Sequence, residues 1–408
     1  MQNRFNLIDE PWIPVVGRGR VSLSAIFLDP SLKALGGTPI QKISVLKLLL
    51  AIVQSAYTPT DDEDWKNLGV NGMAKVCQGY LESKRDSFWL YGDRPFLQMV
   101  GLKRFETNAK GKQISYYSKG RSYLPDMSSE NDTILQDGQI DRPYDDADLA
   151  LLIVALMNYA PGGKRVENVG ALSSDYSGKG SSAKSGPSLG GYVGFLQSCL
   201  WSDNIQKTLF INMHTHRSIA GLGLWSDHSV VPPWEAMPEA ENDENAIRIQ
   251  KSIMGSLCAI SRFVLVTDRG LIYAEGLQYP SHKDGWREPF FSWNSKEKFL
   301  WLDSEKKPWR ELVSLLNIPM GGNEDTYHCP QIDLFWNRAR KMVSVLGIWS
   351  GGLQVRGTAG DQSVKQKDDF IDSIVLIDEK VIGHSWFSAL KNQLQGTSKN
   401  ETIPRSNF

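Results

Sequence analysis

Two histidines one residue apart, His214 and His216, have a spacing that could serve a metal. On a strand, side chains repeat every second residue, so both imidazoles would face one way. No Cys, Asp or Glu nearby completes a ligand set, and no metal is expected there. The acidic pairs Asp61-Asp62, Asp145-Asp146 and Asp368-Asp369 are adjacent in sequence. Neighbours on a helix point apart, so these read as caps and solvated surface rather than as a two-carboxylate acid/base site. No HExxH, GxSxG, dinucleotide fingerprint or kinase set is present. The residues argue for a binding or scaffold protein rather than a catalyst, with no cofactor expected.

The stretches that suit a ligand suit a polyanion. Residues 351–371, GGLQVRGTAGDQSVKQKDDFI, carry four glycines, the pair Asp361-Gln362, and then Lys365 and Lys367. Glycine lets a backbone approach a ligand closely. Residues 162–186 form a second such stretch: twelve of the 25 are Gly or Ser, with Lys164, Arg165, Lys179 and Lys184 against Glu167 and Asp175. Backbone amides freed by glycine beside lysines can hold phosphates or approach a groove edge. No GxxxxGK[ST] occurs, so this is not a nucleotide-binding loop of that kind. A third stretch is the hairpin pattern of 263–274, with Thr267-Asp268-Arg269-Gly270 as its turn and Arg269 at its tip.

The whole chain is not basic. It has 408 residues, 45 Lys+Arg, 46 Asp+Glu and a net charge of −1, which excludes a general nucleic-acid coat but not a local basic groove. Cys77, Cys199, Cys258 and Cys329 are far apart and form no CxxC, so buried reduced thiols are expected. The N-terminus has no signal-peptide core, and the apolar run Leu48 to Val53 is too short to span a bilayer. A cytoplasmic protein with no membrane partner is expected.

The elements that would position these stretches are mixed. Phe5–Val16 reads as a short strand broken by Pro11 and Pro14, and Val21–Phe27 as an extended or turn segment. Ile43, Leu46, Leu50, Val53 and Tyr57 mark one face of a helix stopped by Pro59. Trp65–Leu81 is a poorer helical pattern, and Phe88–Tyr91 and Arg94–Gln98 are extended. Residues 101–143 read as a long irregular excursion. Leu149, Leu152, Ile153 and Leu156 mark a helix led by Asp145 and Asp146, which suit its positive end. Leu189–Leu200 and Ile205–Met213 read as helix and connecting turn, and Pro308 opens a helix to Leu316. Ile332–Trp349 is the longest helical pattern. Trp386, Phe387, Leu390 and Leu394 suggest a short amphipathic helix before a tail.

Several segments, taken in order, resemble one family. Phe5-Asn6-Leu7-Ile8-Asp9-Glu10-Pro11-Trp12-Ile13-Pro14-Val15 looks like the N-terminal signature of CasA, the large subunit of the type I-E CRISPR Cascade surveillance complex. Leu46–Val53, Arg94–Gln98, Pro161-Gly162-Gly163, Ser188–Leu200, Pro232-Pro233-Trp234-Glu235, Pro308–Leu312 and Gly357–Gln362 fall in that family's order, so the resemblance covers roughly residues 5–370. It implies a non-catalytic subunit at the foot of Cascade that reads the protospacer-adjacent motif (PAM) in double-stranded DNA and starts strand separation for R-loop formation in antiviral defence. By position, Gly162, Gly163 and Lys164 match the family's glycine loop, Arg269 its basic finger, and Gln362 with Asp361 its wedge. Ser129, Glu130, Asn131 and Asp132 resemble the loop that docks on the guide handle and neighbouring subunits.

The implied partners are the 5′ handle of the guide RNA, target duplex, the backbone, handle-capping and small Cascade subunits, and a helicase–nuclease or another nuclease module. The alternative is a structural Cascade subunit that holds guide RNA and partners without reading the PAM. The implied fold is α+β: a large mixed domain over 1–370 with short sheets and helices, then a short helical segment and tail over 371–408. The family's C-terminal four-helix bundle is reduced or missing in this pattern.

Overall fold

The computed structural model describes residues 2–102, 105–107, 110–115, 144–159, 194–240, 242–268, 270–277, 279–280, 282–303, 308–316, 327–353, 370–377 and 387–393. Among these the architecture is α+β, with small open sheets set around buried helices.

Strand β1 (Arg4–Asn6) pairs with β4 (Trp89–Tyr91), and β2 (Ile13–Val15) with β3 (Gly19–Val21). Between β3 and β4 lie α1 (Leu23–Leu28), α2 (Pro39–Ala56) and α3 (Asp62–Ser83). Thr38 starts α2 through a capping box with Gln41, and Pro39 sits where its missing N–H costs nothing. Fourteen of the 18 residues of α2, including Lys47, are buried. By length and composition α2 would pass for a membrane span, but with 78% of that stretch inside the protein it is the central core helix. Asp61 caps α3, which kinks where Gly69 takes φ 61°. The interior also holds Trp65, stacked on Phe210 at 4.3 Å with its indole N–H donating to the Phe210 carbonyl.

Strands β5 (Phe105–Thr107) and β6 (Gln113–Ser115) pair with each other. Helix α4 (Asp146–Asn158) follows, capped by Asp145 in a box with Asp148, as the acidic lead predicted. Beyond it come β7 (Gln197–Trp201), α5 (Ile205–Asn212), α6 (His216–Leu222), α7 (Glu244–Lys251) and α8 (Ile253–Leu257). The predicted hairpin forms as β8 (Arg262–Thr267) and β9 (Gly270–Glu275), paired throughout. A 3₁₀ turn at Pro308–Glu311 leads into α9 (Leu312–Leu316), then α10 (Pro330–Asp333), α11 (Trp336–Ala339), β10 (Leu346–Leu353) and β11 (Phe370–Ile377). Residues 387–393 are helical, within the predicted C-terminal helix.

Four expectations are corrected. Ile332–Trp349 is not one helix: two short helices end at Ala339 and a strand begins at Leu346. Short apolar runs do not separate buried strand from helix by period alone; Ile348 and Trp349 favour the strand, and Gly347 and Gly351 disfavour a helix. The same ambiguity hid β7 inside the Leu189–Leu200 reading. Leu23–Leu28 is helical rather than extended, because Ser22 caps it. Gly351 and Gly352 belong to β10 rather than to a loop, so the connection to β11 starts after Leu353.

The largest sheet has the order β11-β10-β7, both pairs antiparallel. All eight residues of β10 are buried, as suits a strand covered on both faces. Lys42 of α2 binds Asp372 of β11 at 2.7 Å, and the Trp349 indole donates to the same carboxylate at 3.0 Å, so the sheet is fastened to the core helix.

Candidate nucleic-acid interface

The register of this sheet decides where the ligand-suited stretches are rooted. Gly351 of β10 faces Gln197 of β7, and Leu353 faces Phe370 of β11. The C-terminal end of β10 and the N-terminal ends of β7 and β11 therefore lie together. Residues 160–193 enter β7 there, and residues 354–369 join β10 to β11 there. Two connections predicted independently thus share one end of one sheet.

That end is tightly built. Leu196 donates to the Leu300 carbonyl and Leu302 to that of Gly194, each at 2.9 Å, and Phe195 bridges Trp301. Leu196, Leu300 and Leu302 form a small apolar cluster with Tyr327 and Ile371. Both roots are held in it: Leu196 on the β7 side and Ile371 on the β11 side. A Cβ on Gly351 would lie 2.6 Å from Asp372 Cβ and 2.8 Å from the Ile371 carbonyl oxygen, so only glycine permits this approach. The Ser198 and Ser350 hydroxyls meet at 3.0 Å across the strands.

A buried polar group lies beneath. Lys47 Nζ is 2.6 Å from Glu288 Oε1, with the two side chains 0% and 1% exposed. Burial pulls the Lys47 ammonium down and pushes the Glu288 carboxyl up, and each partner opposes the other's shift. Nearby, the Tyr159 hydroxyl and Gln197 Oε1 are buried without a hydrogen bond of good geometry among the described residues. Burial raises Tyr159 well above the ordinary phenol range, with Glu288 adding to the shift and Gln197 opposing it. Tyr159 is the residue from which 160–193 departs.

The β8–β9 hairpin is placed by different contacts. At its base, Ser261 donates to the Met157 carbonyl at 3.3 Å, near the end of α4. Toward its tip, Val266 N–H donates to Gln98 Oε1 at 2.7 Å, and Gln98 Nε2 donates to the Leu90 carbonyl at 2.7 Å. Tyr91, next to Leu90, hydrogen-bonds Asp146 at the start of α4. The hairpin therefore packs along α4. Gln98, which holds the hairpin, also lines a cavity of about 670 Å³ bounded by Asp93–Gly101 and Trp234–Glu239.

Gly162, Gly163, Lys164, Arg269, Asp361, Gln362 and Ser129, Glu130, Asn131 and Asp132 all lie outside the described residues. What the structure places is the roots: one sheet end for the first and third groups, the hairpin for Arg269. The His214/His216 pair does not share a strand. Thr215 caps α6 and puts His216 in its first turn. His214 is buried, its Nε2 3.1 Å from Gln331 Oε1 and its Nδ1 3.2 Å from Ser218 Oγ. Burial, with the Arg338 charge, holds it down to about 3, so it is a neutral core histidine. All four cysteines are buried and free, as expected.

Sequence reasoning missed Gln98, Glu288 and Lys47 as positioning groups. Gln98 sits in the stretch Arg94–Gln98, which the sequence pattern reads as extended but which turns at Phe96-Leu97, with Leu97 at φ 54° and the Gln98 N–H donating to the Pro95 carbonyl at 3.2 Å, and no sequence pattern signals that turn. Lys47 interrupts an apolar helix face, and that was the available signal.

Comparison with known proteins now bears on this architecture. The family model described as CRISPR-associated protein Cse1 matches residues 6–376. The chain belongs to the Cse1 family. A curated Cse1 relative, CRISPR-associated protein CasA/Cse1 of Thermus thermophilus, is 31% identical over 173 residues, which are 39% of this chain and 32% of that protein. The aligned stretch thus spans about a third of the relative's length. The crystal structure of Thermobifida fusca Cse1 superposes with TM-score 0.70 at 22% identity, covering 95% of this chain and 77% of that one. Cse1 from Acidimicrobium ferrooxidans gives 0.65 at 15% identity, covering 98% and 76%. A chain of a structure described as a CRISPR RNA-guided surveillance complex gives 0.63 at 16% identity, covering 99% and 85%. At these identities the structures establish a shared Cse1 fold.

Proposed function

We propose that this Cse1 chain is the non-catalytic large subunit of a type I-E CRISPR Cascade complex in the cytoplasm, that it reads the PAM in duplex DNA, and that it starts strand separation. The observation that carries the reading is that residues 160–193 and 354–369, which hold the glycine stretch and Gln362, are rooted at one end of one sheet in a chain of this family. Glycine lets backbone come close to a groove, and minor-groove readout is coarse enough for a few such contacts to make a permissive reader. Gln362 is long and uncharged, so it can enter between base pairs without burying a charge. Opening the first step costs a few kcal/mol, after which guide pairing is a near-balanced exchange. Arg269, between Asp268 and Gly270 in the chain, supplies a basic contact in this reading. The guide handle, the other Cascade subunits and a nuclease module are the partners of this reading, with Ser129–Asp132 as the docking segment.

The test is R-loop formation by the reconstituted complex. Gln362→Ala slows initiation on paired target and is rescued on target pre-opened beside the PAM. Equal slowing on both would remove the wedge. Lys164→Ala and Arg269→Ala weaken duplex binding: a phosphate contact lowers the salt slope for all sequences, while a groove contact relaxes PAM preference. Unchanged affinity, preference and salt slope in both variants would refute the placement of these loops. Purified protein with Mg²⁺ leaves DNA, RNA and ATP intact, and turnover abolished by a point substitution would refute the non-catalytic assignment.

A further inference from the structure

The outer edge of the three-stranded sheet is β11, and it lacks the devices that keep such edges from pairing. Its eight residues run in unbroken register with β10, without a bulge, and include neither proline nor lysine. Among the described residues no strand pairs with its other side. Its one carboxylate, Asp372, is already engaged by Lys42 and the Trp349 indole. Ile374 is 43% exposed and Leu376 62% exposed. Residues opposite one another in the register share a face of the sheet. Ile374 and Leu376 therefore share theirs with Trp349 and Gly347 of β10 and with Cys199 and Trp201 of β7. That face carries a cavity of about 120 Å³, with Ile374, Trp349, Trp201 and Ile43 among its walls, room for one large apolar side chain. Val16, 57% exposed, and Lys33 stand at its rim. The Val16 N–H donates to the Ala34 carbonyl and Arg18 Nη2 donates to Ser31 Oγ, each at 3.0 Å, which sets Arg18 on the same rim as Lys33. Both cations are exposed, and neither forms a salt bridge among the described residues.

We propose that β11 and this cavity dock an extended, acidic and apolar segment of a neighbouring protein subunit. The segment adds to the sheet as a fourth strand, seats one apolar side chain in the cavity and sets a carboxylate against Lys33. The edge argues for a strand: it offers a row of N–H and C=O groups spaced for another extended backbone, which neither a helix nor a nucleic acid supplies. The side chains set the chemistry. Ile374, Leu376 and the cavity call for apolar partners, and the unpaired charges at the rim, Lys33 and Arg18, call for carboxylates. Side chains that alternate along a strand can bring both. The inference rests on the proposed function in one respect, since a complex of several subunits supplies the segment. Ile374 and Leu376 lie toward the end of β11 away from Phe370, so the site is apart from the sheet end assigned to DNA.

The test uses the full chain, free and in the reconstituted complex. A carbodiimide joins an amine to a carboxylate in direct contact, so it links Lys33 to an acidic residue of another subunit, and mass spectrometry locates the bond. The amides of β11 exchange more slowly in the complex than in the free chain. Ile374→Lys combined with Leu376→Lys melts as the native chain does, because both positions are exposed, but enters the complex about tenfold less readily. Lys33→Glu weakens entry about threefold at low salt and less at high salt, and Lys33→Arg enters normally while losing the cross-link. Lys33 cross-links found only within this chain, or only to a second copy of it, would overturn the proposal. So would β11 exchange unchanged by assembly, or normal entry of the Ile374→Lys, Leu376→Lys variant. A complex that shows the cross-link and the protection but reads no PAM refutes the DNA reading and upholds the docking site. A complex that reads the PAM with β11 unprotected does the reverse.

Discussion

Lys47→Met places the buried pair under a test whose size the structure sets. At 2.6 Å and an effective dielectric near 20, the attraction between the two charges is about 6 kcal/mol. Removing two ions from water costs several kcal/mol each, so the intact pair is close to neutral for stability. The single variant loses the attraction and keeps the cost of burying Glu288, which lowers stability by about 3–5 kcal/mol. Glu288 limits that cost by taking a proton, since burial already pushes its carboxyl up. A carboxyl whose folded pKa is raised binds more protons folded than unfolded, so the variant loses further stability as pH rises above the unfolded carboxylate range. Lys47→Met with Glu288→Leu leaves neither charge and recovers to within about 1 kcal/mol of the native chain. Urea denaturation of the four proteins at pH 5 and 7 reads the cycle. A single variant costing under about 1 kcal/mol, or a double variant no better than the worse single, would refute the reasoning.

Gln98→Ala leaves the Val266 N–H and the Leu90 carbonyl, both partners of this buried side chain, without their bond. It destabilises the chain by about 2–3 kcal/mol, seen in denaturation and as faster amide exchange across the β8–β9 hairpin. Gly351→Ala forces a Cβ to 2.6 Å from Asp372 Cβ and lowers the melting temperature, whereas Gly79→Ala, where a Cβ meets nothing within 4 Å, leaves it unchanged or higher. His214 stays neutral when folded to about pH 3 but binds a proton below about 6.5 when unfolded. Its contribution is therefore constant above that value and is lost as pH falls, by about 2 kcal/mol between pH 6.5 and 5. His214→Asn flattens that part of the urea midpoint–pH curve, and an unchanged slope would refute the assignment.

The elements with strong local chemistry were legible in the sequence. Asp61 and Asp145 announce two helix starts through caps, and 263–274 announces its hairpin through β-formers around a glycine turn. The central strand was not, because β10 carries neither alternation nor a polar face: all its residues are buried, and its partner β7 is far away in sequence. The loop stretches were found by composition, but their convergence at one sheet end depends on register across long separations, which no local pattern encodes.

The separation between those strands also orders events in time. Ser198 and Ser350, in contact across β7 and β10, are 152 residues apart. Pairing over such a distance must close a long loop before any contact rewards it, and such pairings form slowly. During synthesis α2, α3 and α4 emerge first, and α2 can already pack on α3 and α4. The sheet end cannot be completed until residues 346–353 and 370–377 have left the ribosome, so a partly made chain holds a core but does not yet present the surface proposed to engage DNA.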